Sequence, residues 1–228
     1  MANKYEELTV RALYAEPEHS IAYPLLERFT YPWEALGEIS AFIRELGATL
    51  PEDAYDRVGE DIWIAKSATV APTAAIHGPC IVCDAAEIRH CAFIRGSVIV
   101  GAGAVVGNST ELKNSILFDG VQVPHYNYVG DSILGYKSHM GAGSITSNVK
   151  SDKSLVTVAI GGDRVATNRK KFGAMLGDFV EIGCNSVLNP GTVIGSHTNV
   201  YPLSSVRGYV PANSIHKSSD AIVTKRKD

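Results

Sequence analysis

The sequence predicts an all-β protein built as a parallel β-helix, with a short N-terminal helical cap and an extruded loop, and three observations carry that prediction. An aliphatic residue recurs every six positions from Ile64 through Val70, Ile76, Val82, Ile88, Ile94, Val100, Val106 and Leu112, and the beat resumes over Leu176, Ile182, Leu188, Ile194, Val200 and Val206. A fixed period marks a repeat architecture. The position four after each aliphatic is small or slim, as at Ala68, Ala74, Cys80, Ala86, Ala92, Val98, Ala104 and Thr110, so each unit has two inward slots. Glycine is abundant (21 of 228) while aromatics are only 8%, which suits repeated turns around a narrow core better than a broad sandwich. Three strand-plus-turn units close a triangular coil of about 18 residues, and coils stack about 4.8 Å apart, like neighbouring strands.

Residues 1–60 lack the repeat and form the cap. Within them Pro32 to Gly47 reads as a helix, with proline near its start, an apolar stripe of Trp33, Leu36, Ile39, Ile43 and Leu46, and a terminal glycine. An open β-helix end is a sheet edge that needs covering, so this helix is expected over the first coil. The β-helix spans residues 61–215. Its period lapses over 147–173, an inserted loop holding Lys150, Lys153, Arg164, Arg169, Lys170 and Lys171. Apolar Leu155, Val156, Val158 and Ile160 in that loop predict an ordered excursion packed on the coil or on a neighbouring subunit. Residues 216–228 read as a basic tail ending in Lys225, Arg226 and Lys227.

Twenty-one basic against twenty-four acidic residues give a net charge of −3, which offers no field for nucleic acid. No apolar run approaches the roughly 18 residues of a spanning helix, and the start lacks a signal-peptide pattern, so no membrane partner and a cytoplasmic location are expected. Four cysteines, Cys80, Cys83, Cys91 and Cys184, are too few for a disulfide scaffold and fit a reducing compartment. Cys80 and Cys83 with His90 and Cys91 have a zinc-like look. In the repeat register, however, Cys80 points inward and Cys83 outward, so no metal is expected.

Arg95, Lys113 and His125 each follow an inward position (Ile94, Leu112 and Pro124), which directs all three outward. Arg95 and Lys113 stand one coil apart, and should stack about 5 Å from each other. Two cations so placed repel unless an anion lies between them, and a phosphate would answer that need; the alternative is two solvated side chains that splay. His125 falls on an adjoining face, where a neutral imidazole can take a proton. Tyr128 puts a bulky ring into a slot otherwise kept for small residues.

The segments PHYNYVGDSILG (Pro124 to Gly135) and MGAGSITSN (Met140 to Asn148) resemble the acetyltransferase domain of the bifunctional N-acetylglucosamine-1-phosphate uridyltransferases. RKKFGAMLGDFVEIGCNSVLNPGTVIG (Arg169 to Gly195) is similar to the carboxy-terminal β-helix of archaeal-type sugar-1-phosphate nucleotidyltransferases. The resemblance covers about residues 64–215 and implies a left-handed coil. It further implies an acetyl-CoA-dependent N-acetyltransferase acting on a hexosamine 1-phosphate, with acetyl-CoA as co-substrate and no metal. His125 would be the general base, Arg95 and Lys113 the phosphate holders, and Tyr128, His139 and Asn148 sugar contacts. Ala142, Cys184 and Pro202 would line the acetyl-CoA channel. His139 replaces the motif's asparagine, Val149 its tyrosine, and the loop lysine of the family has four candidates here, Lys150, Lys153, Lys170 and Lys171. No nucleotidyltransferase domain with its glycine-rich phosphate loop precedes the repeat, so uridylyl transfer is not expected.

The alternative the resemblance leaves open is a non-catalytic oligomerisation or regulatory β-helix, partnered with a separate nucleotidyltransferase. Flat faces bearing Val98, Ile99, Val105, Ile116 and Leu117 predict a homotrimer with sites in the clefts between subunits.

Overall fold

Each circuit of the chain lays three short strands on the circuit before it. The computed structural model describes residues 4–218 and 221–225. One face of the prism runs from Ile62–Ala65 through Cys80–Val82 and Val98–Val100 to the later halves of Glu111–Leu117 and Tyr128–Leu134, then Ala174–Leu176, Thr192–Ile194 and Tyr209–Val210. The second face stacks nine strands, among them Val105–Asn108, Gln122–His125, His139–Met140 and Glu181–Ile182. The third takes the early halves of the two long strands with Phe93–Ile94, Ile145–Thr146, Val187–Leu188 and Ser205–Val206. All pairings between circuits are parallel, so this is the β-helix that the six-residue beat predicts. The aliphatics of that beat are buried from Val82 to Leu112 and again from Leu176 to Val206. Val70 and Ile76, in the first circuit, remain partly open.

The circuit length is not constant. Ile62 pairs with Cys80 and Cys80 with Val98, a step of 18; Val98 pairs with Ser115 and Ser115 with Ser132, a step of 17. The lost residue shifts the inward positions. Val123, which pairs with Val106, is fully buried, while Pro124 is only half-buried. The expectation that Pro124 points inward is therefore corrected, and His125 stands two residues beyond the inward side chain, at a corner.

The corners turn through residues with positive φ. Between the second and third faces these are Cys91, Ser109, Tyr126, Gly143, Asn185 and Leu203, with φ from 52° to 71°. Each occupies the same place in its own circuit, so the residues just before them stack in a column.

The N-terminal segment departs from its expected position. It lies along the first face and reaches the first coil only at the end of its last helix, where Gly47 packs on Trp63 and Arg44 pairs with Asp61 at 2.6 Å. Pro32 to Gly47 is not one helix either. A 3-10 turn covers Pro32–Gly37 and an α-helix follows over Ile39–Gly47, with Gly37 packed against the Arg169 guanidinium. The α-helix rests on the strands of three successive circuits, and the 3-10 turn rests on Tyr128–Leu134. Leu13, Tyr14, Leu25, Leu26, Trp33, Ile39 and Ile43 are buried there, each large aliphatic contributing about 1.5–3 kcal/mol. Asp178 anchors the segment by accepting the N–H groups of Ala15 and Tyr136, both at 2.9 Å. The edge of the first face at the open end of the first coil is covered by the strand Tyr55–Gly59, antiparallel to Ile62–Ala65.

This arrangement also corrects the surface expected for a trimer. Val98, Ile99, Ile116 and Leu117 are wholly buried within one chain; the chain's own helices shield the first face.

The excursion is ordered. It leaves after Asn148 and returns at Phe172, whose N–H bonds the Asn148 carbonyl at 3.0 Å, and it forms a hairpin of Val156–Ile160 and Asp163–Arg169. The hairpin packs on its own coil and on the N-terminal segment: Val156 and Val158 are buried, Gly191 and Gly208 of the coil lie against Thr157 and Ala159, and Arg169 donates to the Glu34 carbonyl at 2.5 Å. At the far end Ser214–Ser218 pairs antiparallel with Ala221–Thr224, so the expected tail boundary at 216 falls inside this strand pair. Arg226 and Lys227 lie outside the described residues.

Cys80 and Cys83 are both buried. Burial pushes the Cys83 thiol up to about 12, and its side chain meets Tyr55 rather than solvent. Among the described residues no group of three or more His, Cys, Asp or Glu side chains is placed to hold a metal ion, and no helix is long and apolar enough to cross a membrane.

Candidate active site

The sequence-predicted residues separate into two groups at opposite ends of the third face. At the corner shared with the first face lies a polar cluster. Arg95 Nη1 meets Glu111 Oε1 at 2.8 Å, and Lys113 Nζ meets Asp131 Oδ2 at 3.5 Å. Asp131, nearly buried, also accepts from Asn114 Nδ2 at 2.9 Å and Asn148 Nδ2 at 2.6 Å. Asn148 Nδ2 reaches the Tyr128 hydroxyl as well, at 3.2 Å. Burial raises the Tyr128 phenol, and the charges of Asp131 and Glu111 add to that.

Two expectations change here. Arg95 and Lys113 do occupy neighbouring rungs, since the Arg95 N–H bonds the Leu112 carbonyl at 2.9 Å, but each has its own carboxylate. No external anion is needed to hold them together. Tyr128 does not fill a small inward slot: it pairs with Glu111 and Ile145 on the outward row of the third face, and its hydroxyl lies over Gly130, where a β-carbon would come within 2.4 Å of it. The inward slot belongs to Asn127. Its side-chain amide donates to the carbonyls of Gly141 at 2.9 Å and Ser144 at 3.1 Å, and its Oδ1 accepts the His125 N–H at 3.1 Å.

At the other corner His90, Asn108, His125, Ala142, Cys184 and Pro202 form the column just before the positive-φ residues. Backbone bonds tie the rungs: Gly143 N–H to His125 carbonyl at 3.0 Å, Asn185 N–H to Ala142 carbonyl at 2.8 Å, Leu203 N–H to Cys184 carbonyl at 2.9 Å. His125 is exposed. Asn127, bonded to its backbone, fixes how the corner turns. A 340 Å³ groove on the second face opens beside the column and is lined by His139, Gly141, Glu181, Cys184, Tyr201 and Pro202. His139 Nδ1 lies 2.8 Å from Glu181 Oε2.

Thus the structure joins His125, Ala142, Cys184 and Pro202 in one column and sets His139 beside it. Arg95, Lys113, Tyr128 and Asn148 gather elsewhere, and among the described residues no hydrogen bond or ion pair joins them to His125. Of the candidate lysines, Lys150 is engaged inside the excursion with Asp152 and Ser154. Sequence reasoning passed over Asn127, Asp131, Glu111 and Glu181. Asn127 carried no signal in the six-residue register, which gave its inward slot to Tyr128, whereas Asn114 and Asp131 did, two residues tolerant of positive φ one circuit apart.

Fold and corner column together define a hexapeptide-repeat β-helix protein. The sequence profile described as "GMPPB C-terminal domain" matches residues 76–198, more than half of the chain. The chain belongs to that family. Among curated relatives, the bifunctional protein GlmU of Methanococcus vannielii is 37% identical over 142 residues, 62% of this chain and 34% of that protein. The bifunctional sugar-1-phosphate nucleotidylyltransferase/acetyltransferase of Sulfurisphaera tokodaii is 34% identical over 110 residues, 48% of this chain and 27% of its own length. A GlmU of Methanococcus maripaludis matches 87% of this chain at 29% identity. The chain spans between 27% and 49% of these three relatives. Among solved structures, the acetyltransferase domain of PglB from Neisseria gonorrhoeae in complex with acetyl coenzyme A has a TM-score of 0.37 at 18% identity, covering 72% of this chain and 57% of that one. At that score the likeness carries no argument.

Proposed function

We propose that the chain is an acetyl-CoA-dependent N-acetyltransferase whose acceptor is a hexosamine 1-phosphate, with His125 as general base. The observation that supports this most is the column itself: His125, Ala142, Cys184 and Pro202 stand on consecutive rungs of one corner, beside an open groove. The names of the relatives from Methanococcus and Sulfurisphaera point the same way. In this reading the donor lies along Ala142, Cys184 and Pro202, and His125 takes the proton of the attacking amine. The reaction needs a base and close positioning of the two reactants, with no metal. His139, Tyr128 and Asn148 contact the sugar. Arg95 and Lys113 hold the phosphate by exchanging Glu111 and Asp131 for it.

A homotrimer belongs to the same reading. Tyr126 beside His125 is 65% exposed and Leu203 beside Pro202 is 80% exposed; a neighbouring subunit covers both and completes the cleft. Light scattering should give three times the chain mass of 24.4 kDa, and a monomer would remove the shared cleft.

One observation favours the second reading, a non-catalytic oligomerisation or regulatory β-helix serving a separate nucleotidyltransferase. Both cations meant for the phosphate are already neutralised within the chain. The deciding assay mixes the chain with acetyl-CoA and glucosamine 1-phosphate and follows free thiol. Acceptor-dependent release is expected; release no faster than the acceptor-free blank rejects the transferase.

A further inference from the structure

The third face carries a row of outward side chains that continues one circuit beyond the cations assigned to the acceptor phosphate. His77 N–H bonds the Ile94 carbonyl at 2.8 Å and Arg95 N–H the Leu112 carbonyl at 2.9 Å, so His77, Arg95 and Lys113 stand on consecutive rungs about 5 Å apart. Beside that row, Phe93, Glu111 and Tyr128 pair in turn across the sheet. His77 and Phe93 touch: their ring centroids lie 5.6 Å apart with the planes at 74°. Phe93 stays 38% exposed, and His77 is exposed as well. Glu111 joins the two rows, because it pairs with Phe93 in the sheet and receives Arg95 Nη1 at 2.8 Å. Arg95 and Lys113 each have a carboxylate; among the described residues His77 has none.

The rows give the face a direction. His125 and Tyr128 mark the level of the amino sugar, Arg95 and Lys113 the level of its phosphate, and Phe93 with His77 the level beyond. Two rungs, about 10 Å, separate Tyr128 from Phe93. A simple hexosamine 1-phosphate ends at the cations and leaves the last level without a role. A nucleoside diphosphate fills it. The second phosphate reaches Arg95 and a ring nitrogen of His77, one of which carries a proton in either tautomer, and the base stacks on the Phe93 ring. The charge also suits the site. A phosphate monoester concentrates up to about two negative charges at one rung, close to Glu111 and Asp131, whereas a diphosphate diester carries one on each phosphate and spreads them over two rungs. Resting on the reading that this face receives the acceptor, we infer that the acceptor is an amino sugar linked through its 1-phosphate to a nucleoside monophosphate, with Phe93 and His77 as the residues that select it. The transfer is unaltered: the amine nitrogen attacks the thioester carbonyl, a carbon–nitrogen bond forms, the bond to the CoA sulfur breaks, and the amine proton passes through His125 to the departing thiolate.

The test compares glucosamine 1-phosphate with UDP-glucosamine as acceptors for the full chain, following free thiol from acetyl-CoA, and measures UDP-glucosamine binding by calorimetry without the donor. Stacking accepts any base, so one nucleotide sugar serves as the probe. The kcat/KM for UDP-glucosamine should exceed that for glucosamine 1-phosphate by about 10-fold or more. Phe93→Ala should raise KM for UDP-glucosamine about 10-fold and His77→Ala about threefold. Neither variant should change KM for glucosamine 1-phosphate or the melting temperature, since both side chains are exposed. Phe93→Tyr, which keeps a ring, should restore the preference. Transfer to glucosamine 1-phosphate that equals or exceeds transfer to UDP-glucosamine overturns this inference and leaves the transferase standing. A preference for UDP-glucosamine that Phe93→Ala does not reduce, or a loss shared equally by both acceptors, overturns it too. UDP-glucosamine bound through Phe93 without acetyl transfer supports the subsite and rejects the transferase. Absence of both binding and transfer rejects both.

Discussion

The two corners of the third face both carry polar side chains and put them to opposite use. At one, Arg95, Lys113, Tyr128, Asn114 and Asn148 converge on Glu111 and Asp131. At the other, His125 stands exposed on a ladder whose rungs are tied by backbone bonds and by the side chains of Asn108 and Asn127. A cluster that neutralises itself stabilises the coil, because removing any member leaves a desolvated partner behind. An imidazole held by its backbone and left open on its ring side is available to a substrate.

The contrast can be broken most forcefully at His125. His125→Ala should lower kcat/KM for acetyl transfer by about 10²- to 10⁴-fold, and urea unfolding should show stability within about 0.5 kcal/mol of the parent. A large stability loss would move His125 into the structural group. Asp131 should behave the other way round. Asp131→Ala strands Lys113 and two amides and places alanine at φ 48°, so unfolding should cost about 2–4 kcal/mol less. Asp131→Asn, which tolerates that φ and keeps an acceptor, should recover about half of the loss.

Glu111→Gln sharpens the comparison at smaller scale. If phosphate and Glu111 compete for Arg95, the variant lowers KM for the phosphorylated acceptor by about threefold, and leaves KM for the unphosphorylated sugar unchanged. An unaltered KM for both would make the Arg95 pair purely structural.

The smallest effect is a pH slope. Burial raises the Asp178 carboxyl above its ordinary value of 3.8, outweighing the N–H bonds it accepts from Ala15 and Tyr136. In the window between 3.8 and that raised value the folded protein holds a proton the unfolded chain has released, so stability falls as pH rises through it. Asp178→Asn should flatten that segment of the curve, read as urea midpoints from about pH 4 upward. A slope that persists unchanged would assign it to another group.

Much of the coil was legible because burial in a β-helix repeats along the chain. From Val82 to Leu112, where the residue lies in the six-step cycle is enough to place it inside. The cycle misleads at Pro124, where a 17-residue circuit moves the inward place to Val123, and it therefore misplaces Tyr128 as well. The candidate site was legible as a column of residues carried by the His125 motif. Its polar neighbours were not, since Glu111, Asp131 and Glu181 matter through contacts made across circuits.

The sequence by itself determined a prism of stacked circuits and which side chains line it, because inward and outward alternate with a local period. Only the tertiary structure decided that residues 6–47 shield the first face rather than the end, that the excursion folds back on its own coil, and that two stacked cations are already paired. Those outcomes depend on which apolar face wins the helices and which carboxylate reaches which cation. Both are settled by distances through space between residues far apart in the chain.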